Sequence, residues 1–363
     1  MNAAAEMAEL AGSGLFDREW YVRVYPDVEV AALDPLEHWY AFGWREGRSP
    51  NRYFDPAWYL SRNPDIAAAG LNPLLHYARH GDREGRQPMP YFDPAWYRTA
   101  YGIPDEDVAL RHFLGSRSSG QFAPSSELYA VPLLPAYRAA VEAGEDPFGR
   151  ALDDAAREGC EASPDPSVVG GSGLLDPNYY LINGSDVHEA ALDPVLHFCR
   201  FGWREGRKPN LYFDTNWYLR TNPRVARMRI NPLVHYILEG ETVGRRPVIY
   251  FDPSWYREHH GIGAGENALA HYLAHRRRQA YSPNSLFDAA WYVQRAGTKL
   301  GPNRDPFAHY LQAGMLEDVD PSPGFNAAEY RRRHLGRPSR VFRHMMRPDK
   351  HNPLVHYLEA RYQ

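Results

Sequence analysis

The chain has 363 residues, of which 44% are hydrophobic and 24% are charged, and its formal net charge is −4. This composition is typical of a globular protein, and the length suffices for two or three domains or for one extended array of repeats. The small negative charge provides no overall field that would favour nucleic acid or an anionic membrane surface as a partner.

The segment from Met1 to Gly14 is rich in alanine and acidic, and we interpret it as an N-terminal extension. It lacks the basic start and long apolar stretch of a Sec signal peptide, and no apolar run in the chain approaches a membrane span. We therefore expect no membrane span and a cytoplasmic location, with leaderless export as an open alternative. The two cysteines, Cys160 and Cys199, predict neither a disulfide framework nor a metal site of the CxxC type.

The clearest pattern in the chain is the segment from Tyr53 to Pro88, YFDPAWYLSRNPDIAAAGLNPLLHYARHGDREGRQP. Asp55 followed by Pro56 is a typical N-cap and first helical residue. Phe54 and Tyr59 have the spacing of a hydrophobic staple around that cap. The segment therefore predicts a helix that begins at Pro56 and ends near Asn63, before the next proline.

Two further helices are predicted in the same segment. Residues 64–69 form a short second helix that Gly70 closes, because glycine readily adopts the left-handed conformation that ends helices. Asn72 then repeats the cap-and-proline device for a third helix, which we expect to end at Gly81. Residues 83–88 read as a polar turn. Since no stretch alternates in polarity with period two, the pattern predicts helices and no strands.

This segment recurs, intact or degenerate, along nearly the whole chain. We number the copies as repeats 1 to 9; they begin at Phe16, Phe54, Phe92, Leu128, Leu175, Phe213, Phe251, Phe287 and Phe325. Such spacing is typical of helical repeats that bury apolar faces against their neighbours. The sequence therefore predicts an all-α fold, a solenoid-like array of tandem helical repeats of about 38 residues each.

A second, longer period divides the array into two blocks of four repeats. Phe54 returns as Phe213, and GWREGRSPN at 43–51 returns at the same interval as GWREGRKPN at 202–210; we call this interval the block offset. We predict a first block at 15–161, a linker at 162–173, a second block at 174–324 and a terminal capping repeat at 325–363. Repeat 4 is degenerate, since Tyr129 replaces the capping aspartate and Arg150 the repeated histidine.

One histidine recurs in eight repeats: His38, His76, His112, His197, His235, His271, His309 and His356. Together with the repeated aspartate it would suit a metal site or acid–base pair. A structural role is favoured, because the aspartate already serves as a cap and catalysis needs one site rather than eight. We expect the histidine to hydrogen-bond an adjacent repeat or a turn, and we predict no catalytic residue, metal or cofactor.

Repeated aromatic and arginine residues are the better candidates for ligand binding. In each Trp-Tyr pair, such as Trp58-Tyr59, one ring can lie in the core and the other in a groove, where it would stack on a sugar or contact a peptide. The alternative, which residue statistics favour, is that these rings form the core between repeats. The turn arginines would form a ladder suited to an acidic polymer, or would pair with turn glutamates. The predicted ligand-binding residues are Arg45, Arg48, Trp58, Arg83, Arg86, Arg204, Arg207 and Trp217.

Two other functions remain open at this point. An enzyme would have its site where the two blocks meet or where the repeat pattern breaks. A single deep pocket with non-repeated polar residues at such a place would indicate an enzyme. The pattern breaks at Arg150–Cys160, His259–Glu266 and Asp318–Asp320. A self-assembling surface protein would form homo-oligomers and bind no ligand. The arginine cluster at 331–347 is a weak anion or RNA motif, because no nucleic-acid module accompanies it.

The repeat resembles a tandem repeat of bacterial proteins, which include polysaccharide glycosyltransferases of the rhamnan-synthesis type and secreted surface proteins. The residues that carry this resemblance follow the pattern Phe-Asp-x-x-Trp-Tyr, Asn-Pro-Leu-x-His-Tyr and Glu-Gly-Arg-x-Pro, as in 54–88. The transferase domains that accompany the repeat are absent. The resemblance implies a non-enzymatic binding or scaffold protein of envelope polysaccharide synthesis, with a polysaccharide or a glycosyltransferase as partner.

Overall fold

A computed structural model describes residues 3–159, 161–301, 304–314, 319–335 and 352–362. Within these ranges the chain is all-α, and short helices follow one another in tandem as the repeats predict; the β-type pairs are isolated bridges such as Asn51 with Phe54. Cys160, Asp318 and most of the arginine cluster at 331–347 lie outside the described residues.

The chain divides into two compact units. The first comprises Met1–Pro164 with Arg227–Ile230, and the second comprises Asp165–Ala226 with Asn231–Gln363.

The first helix of each repeat, which we call the tyrosine helix, begins after the repeated cap. Asp55 Oδ1 accepts a hydrogen bond from Trp58 N at 2.9 Å, and the Phe54 and Tyr59 rings pack 5.4 Å apart, which confirms the predicted cap and staple. The tyrosine helices are Arg18–Val24, Pro56–Arg62, Pro94–Tyr101, Pro177–Ile182, Thr215–Thr221, Pro253–His260, Ala289–Ala296 and Ala327–His334.

One or two more helices complete each repeat that has a tyrosine helix. A short connecting helix follows in four of them, at Pro26–Val30, Pro64–Ala68, Ser185–Glu189 and Pro223–Arg227. Next comes the histidine helix, which in repeat 2 is capped by Asn72 through Leu74 N and Leu75 N, both at 3.1 Å. The histidine helices are Pro35–His38, Pro73–His76, Ala109–Ser116, Pro194–His197, Pro232–His235, Ala268–His275, Pro306–His309 and Pro353–Tyr362.

Five histidine helices continue into a π-helical turn, at Trp39–Gly43, Tyr77–Gly81, Phe198–Gly202, Tyr236–Gly240 and Tyr310–Gly314. Each turn ends on a glycine, and a Cβ atom on that glycine would lie within 3.0 Å of the hydroxyl of the buried repeat tyrosine. The other described histidine helices have arginine at this position, as at Arg117, and none of them continues into a π-helical turn. The helix therefore runs to Gly81 as a widened turn, where the sequence predicted a simple helix end.

Repeat 4 departs most from the pattern. Two 3₁₀ turns, Ser126–Leu128 and Val131–Leu133, stand in place of the tyrosine helix and precede helix Pro135–Glu142. The last helix of the repeat, Pro147–Glu158, is a regular α-helix in which Ala155 stands at the position of the π-turn glycine. Further 3₁₀ turns lie at Arg117–Ser119 and Gly297–Lys299.

The predicted linker at 162–173 is not an irregular segment, because it contains helix Asp165–Ser172 with Val169 buried. The predicted N-terminal extension is likewise helical at Ala3–Ser13, with Leu10 fully buried. Each helix packs on the histidine helices of the first two repeats that follow it. Neither helix was predicted, because only one apolar side chain of each, Leu10 or Val169, is buried, and this leaves too weak a period to detect.

Hydrogen bonds also join repeats that are not neighbours in sequence. Tyr53 at the start of repeat 2 donates to Asp146 Oδ2 of repeat 4 at 2.7 Å, and Arg117 of repeat 3 pairs with Asp17 of repeat 1 at 3.0 Å. The second block repeats the first contact, where Tyr212 donates to Asp305 Oδ2 at 2.6 Å. In a simple solenoid each repeat contacts only its neighbours in sequence. Each block of this chain also has contacts between repeats that are not adjacent in sequence.

Candidate ligand-binding cleft

Three of the predicted ladder arginines are ion-paired inside their own repeats. Arg86 lies 3.0 Å from Asp65 of the connecting helix and 2.6 Å from Glu84 of the turn. Arg207 pairs in the same way with Asp186 and Glu205, and Arg48 with Asp27 and Glu46. These contacts raise the pKa of Arg86, chiefly through the bond to Asp65. The turn arginines therefore tie the turn to the connecting helix.

The remaining predicted arginines lie on the surface. Arg45 and Arg204 are exposed and lie over the neighbouring Trp44 and Trp203 rings, at 4.2 and 4.5 Å from the ring centroids. Arg83 is exposed and forms no hydrogen bond or ion pair with any described residue. The structure does not bring the predicted arginines together into one site.

Most aromatic pairs divide between core and surface, with the tyrosine in the core. Tyr59 and Tyr218 are fully buried, whereas Trp58 and Trp217 are half-buried on the same helices. Arg62 lies 5.6 Å from the centroid of the Trp58 ring and covers part of it. Trp96 is the exception, since it is buried and donates to Met228 O, whereas the tryptophan is the accessible member of the other five pairs on tyrosine helices.

The repeated histidine bonds the tyrosine of its own repeat, and not an adjacent repeat or a turn as expected. Tyr59 Oη and His76 Nδ1 are 2.9 Å apart, and the equivalent pairs in the other repeats span 2.8 to 3.0 Å. Burial lowers the pKa of His76, and it lowers the pKa of His235 to about 4. Burial thus favours the neutral imidazole of these two histidines, and the bond between histidine and tyrosine is a structural element of the repeat.

The first compact unit contains a cleft of about 710 Å³ that sequence reasoning did not single out. We call it the arginine cleft. It lies between the tyrosine helix of repeat 1 and the last helix of repeat 4, and its lining includes five arginines, four acidic residues and two aromatic rings: Arg23, Arg52, Arg117, Arg150, Arg157, Asp17, Glu145, Asp146, Asp153, Trp20 and Tyr53.

A network of caps and ion pairs fixes one wall of the cleft. Asp17 caps the helix that carries Trp20, and Asp146 caps helix Pro147–Glu158 through Gly149 N at 2.9 Å. The guanidinium of Arg117 lies 3.0 Å from Asp17 and 3.6 Å from Asp146, so it links the two caps. The two helices that face the cleft are therefore held at a defined separation.

The other groups of the cleft divide into paired and unpaired side chains. Arg52 donates to Gly149 O at 2.9 Å and pairs with Asp153. Arg23 and Arg150 are exposed, and their side chains form no hydrogen bond or ion pair with any described residue. The Trp20 ring is half-buried, and its Nε1 is buried without an acceptor among those residues. Trp20 thus offers the cleft ring surface and not its N–H.

The second block does not retain this cleft chemistry, although it retains the caps. At the block offset, Ile182 stands for Arg23, Leu211 for Arg52, His309 for Arg150 and Gln312 for Asp153. The equivalent carboxylate, Asp305, is 7% exposed against 20% for Asp146, and burial raises its pKa. The four replaced residues of the cleft are therefore specific to the first block and are not required by the repeat.

A residue-by-residue comparison of the two blocks would have revealed this difference from the sequence. Of the break at Arg150–Cys160, Arg150 and Arg157 line the cleft. The local sequence pattern does not show that this break lies near Trp20 and Arg23 of repeat 1. The contacts that bring them together connect residues of different repeats.

A second cavity of about 370 Å³ lies in the same compact unit, beside the N-terminal helix. It places the predicted Arg45 next to a mixture of apolar and polar side chains, which includes Tyr40, Trp44, Leu71, His76 and His80. Tyr40 donates to Glu6 at 2.7 Å, and Arg79 pairs with Glu9 at 2.6 Å. The polar groups at one end of this cavity are thus mutually satisfied.

Comparison of the sequence with protein-family models, with curated proteins and with solved structures finds no match. Among the described residues, no cluster of histidine, cysteine and acidic side chains has the arrangement of a metal site. Every helix in the described ranges is too short or too polar to cross a bilayer.

Proposed function

We propose that the chain is a binding protein and that the arginine cleft binds a saccharide. The observation that carries the proposal is the combination of a half-buried Trp20 ring with arginines and carboxylates in a cleft whose exposed arginines the second block has not retained. The apolar face of a sugar ring stacks on indole, and its hydroxyls accept from guanidinium and donate to carboxylate.

The test is calorimetric titration of the full chain with oligosaccharides chosen from an array of bacterial polysaccharides. Trp20→Ala is expected to weaken binding by about tenfold or more, because aromatic contacts of this kind contribute on the order of 1–2 kcal/mol. Trp217→Ala is the matched control, since Trp217 occupies the same helix position in repeat 6 and is also half-buried.

A second set of substitutions distinguishes the arginine cleft from an alternative site along the turn arginines. The combined substitution of Arg48, Arg86 and Arg207 by glutamine leaves binding in the cleft unchanged, since none of the three lines it. If that variant loses binding while Trp20→Ala binds normally, the ligand binds along the turn arginines and not in the arginine cleft. Thermal unfolding of each variant verifies that the fold is retained.

An association with envelope polysaccharide synthesis, with a polysaccharide or a glycosyltransferase as partner, is supported by the sequence resemblance alone.

A carbohydrate-active enzyme is the second candidate, because the cleft holds non-repeated polar residues at a break in the repeat. Glycoside hydrolysis needs a carboxyl group that is free to donate a proton. Asp17, Asp146 and Asp153 are each engaged by an arginine of the protein, and Glu145 is the one exposed carboxylate of the lining without such a partner among the described residues. Because hydrolysis uses a pair of carboxyl groups, binding is the better-supported function.

A further inference from the structure

We infer that the saccharide bound in the arginine cleft is acidic and that Arg23 and Arg150 bind its carboxylate; this inference rests on the proposed function. Three arginines of the cleft already have acidic partners in the protein. Arg117 pairs with Asp17, Arg52 with Asp153 and Arg157 with Asp154. These pairs are satisfied without a ligand.

Arg23 and Arg150 differ from the other three. Both are exposed at the cleft, and neither side chain forms a hydrogen bond or ion pair with any described residue. Among the acidic residues of the lining, Glu145 is the exposed one that has no arginine partner in the described part of the chain. The side chains without a partner therefore carry two positive charges against one negative charge, so the positive charge that an anionic ligand could meet is that of Arg23 and Arg150.

The positions of these two arginines are fixed by the same network. Arg23 lies on the helix capped by Asp17, and Arg150 lies one turn into the helix capped by Asp146. Because Arg117 connects the two caps, the backbone that carries Arg23 and Arg150 is set before a ligand arrives. Guanidinium groups bind carboxylates through paired, charge-assisted hydrogen bonds.

The fold does not require these charges. The second block places Ile182 and His309 at the two positions; Ile182 is 82% exposed, and His309 bonds Tyr292 at 2.8 Å. Repeat 4 has Leu133 where repeat 8 has Tyr292, so Arg150 has no tyrosine hydroxyl to bond and is left at the cleft. An exposed arginine at each position is consistent with a role outside the fold.

The experiment compares a uronic-acid oligosaccharide with its carboxyl-reduced form, which keeps the sugar rings and removes the charge. We expect the reduced form to bind the unaltered chain at least about tenfold more weakly, as the loss of a charged hydrogen-bonded pair predicts. Arg23→Gln and Arg150→Gln each weaken binding of the acidic form by a similar factor and leave the reduced form unaffected. Binding of the acidic form also weakens as the salt concentration rises from about 50 to about 200 mM.

Arg83→Gln is the matched control, because Arg83 is exposed and unpaired but lies outside the cleft. Equal affinity for the acidic and reduced oligosaccharides would overturn the acidic specificity while leaving saccharide binding in place. Equal weakening by Arg83→Gln would show a general charge effect and would also overturn it. If neither oligosaccharide binds the chain, and no other saccharide of the array does, the proposed function itself is wrong.

Discussion

At the scale of single residues, one hydroxyl explains two features of the repeat. The tyrosine Oη bonds histidine Nδ1, and it also occupies the space that a side chain on the π-turn glycine would need. Five described repeats with glycine form the widened turn, and those with arginine or alanine at this position do not. A histidine–tyrosine–glycine set therefore determines local helix geometry, which the histidine alone would not indicate.

Gly81→Ala is expected to destabilise the first compact unit by about 1–3 kcal/mol, the usual cost of overpacking a rigid interior. The Tyr59 ring is fully buried and cannot move aside. Gly115→Ala is the control, because a Cβ there meets nothing within 4 Å and alanine favours a helix by up to about 1 kcal/mol. Urea unfolding measures both; an equal effect of the two substitutions would contradict the steric explanation.

His235 predicts a pH dependence of stability. Burial lowers its pKa to about 4, below the value of about 6.5 in an unfolded chain. The unfolded state therefore binds a proton first as the pH falls, and stability that is complete above about pH 6.5 is lost between about pH 6.5 and 4. His235→Gln removes this contribution, about 1.4 kcal/mol per pH unit within that window.

Denaturant unfolding between pH 7.5 and 5 tests this expectation. The exposed His188 provides the control, since His188→Gln should leave the pH profile unchanged. Parallel profiles for the unaltered chain and His235→Gln would show that His235 is not held neutral by the fold.

At the scale of the helices, most starts were readable from sequence, and the starts of two helices were not. Asp-Pro and Asn-Pro pairs place helix starts at Pro56 and Pro73, as predicted. Helix Ala3–Ser13 lacks such a pair, and helix Asp165–Ser172 carries Asp165-Pro166 without a periodic apolar pattern behind it, so the two were interpreted as an extension and a linker. Both end on a serine at the same position of their blocks, which makes each the first helix of its block.

Leu10→Ala tests whether the N-terminal helix is part of the first compact unit. Leu10 is fully buried, and its truncation is expected to cost about 2–5 kcal/mol because a cavity remains. Ala8→Ser, on the exposed side of the same helix, should change stability by less than about 0.5 kcal/mol. A Leu10→Ala effect as small as that of Ala8→Ser would mean that the helix is not packed in solution.

At the scale of the whole chain, the duplication preserves the structural residues and changes the residues at the cleft. The caps Asp17 and Asp146, the linking Arg117 and the donor Tyr53 all have identical counterparts in the second block. The exposed arginines do not. This separation of shared framework from block-specific charge is the reason for placing function in the first compact unit.

The helical class, the repeat period, the caps and the staple could all be predicted from the sequence, because each depends on residues within one turn or one repeat. The partner of the histidine, the ion pairs of the turn arginines and the cleft became evident only in the folded structure. Arg150 and Trp20 belong to repeats 4 and 1 and meet at one cleft through caps joined by Arg117. A contact between distant repeats depends on how their helices pack, and local pattern carries no record of that packing.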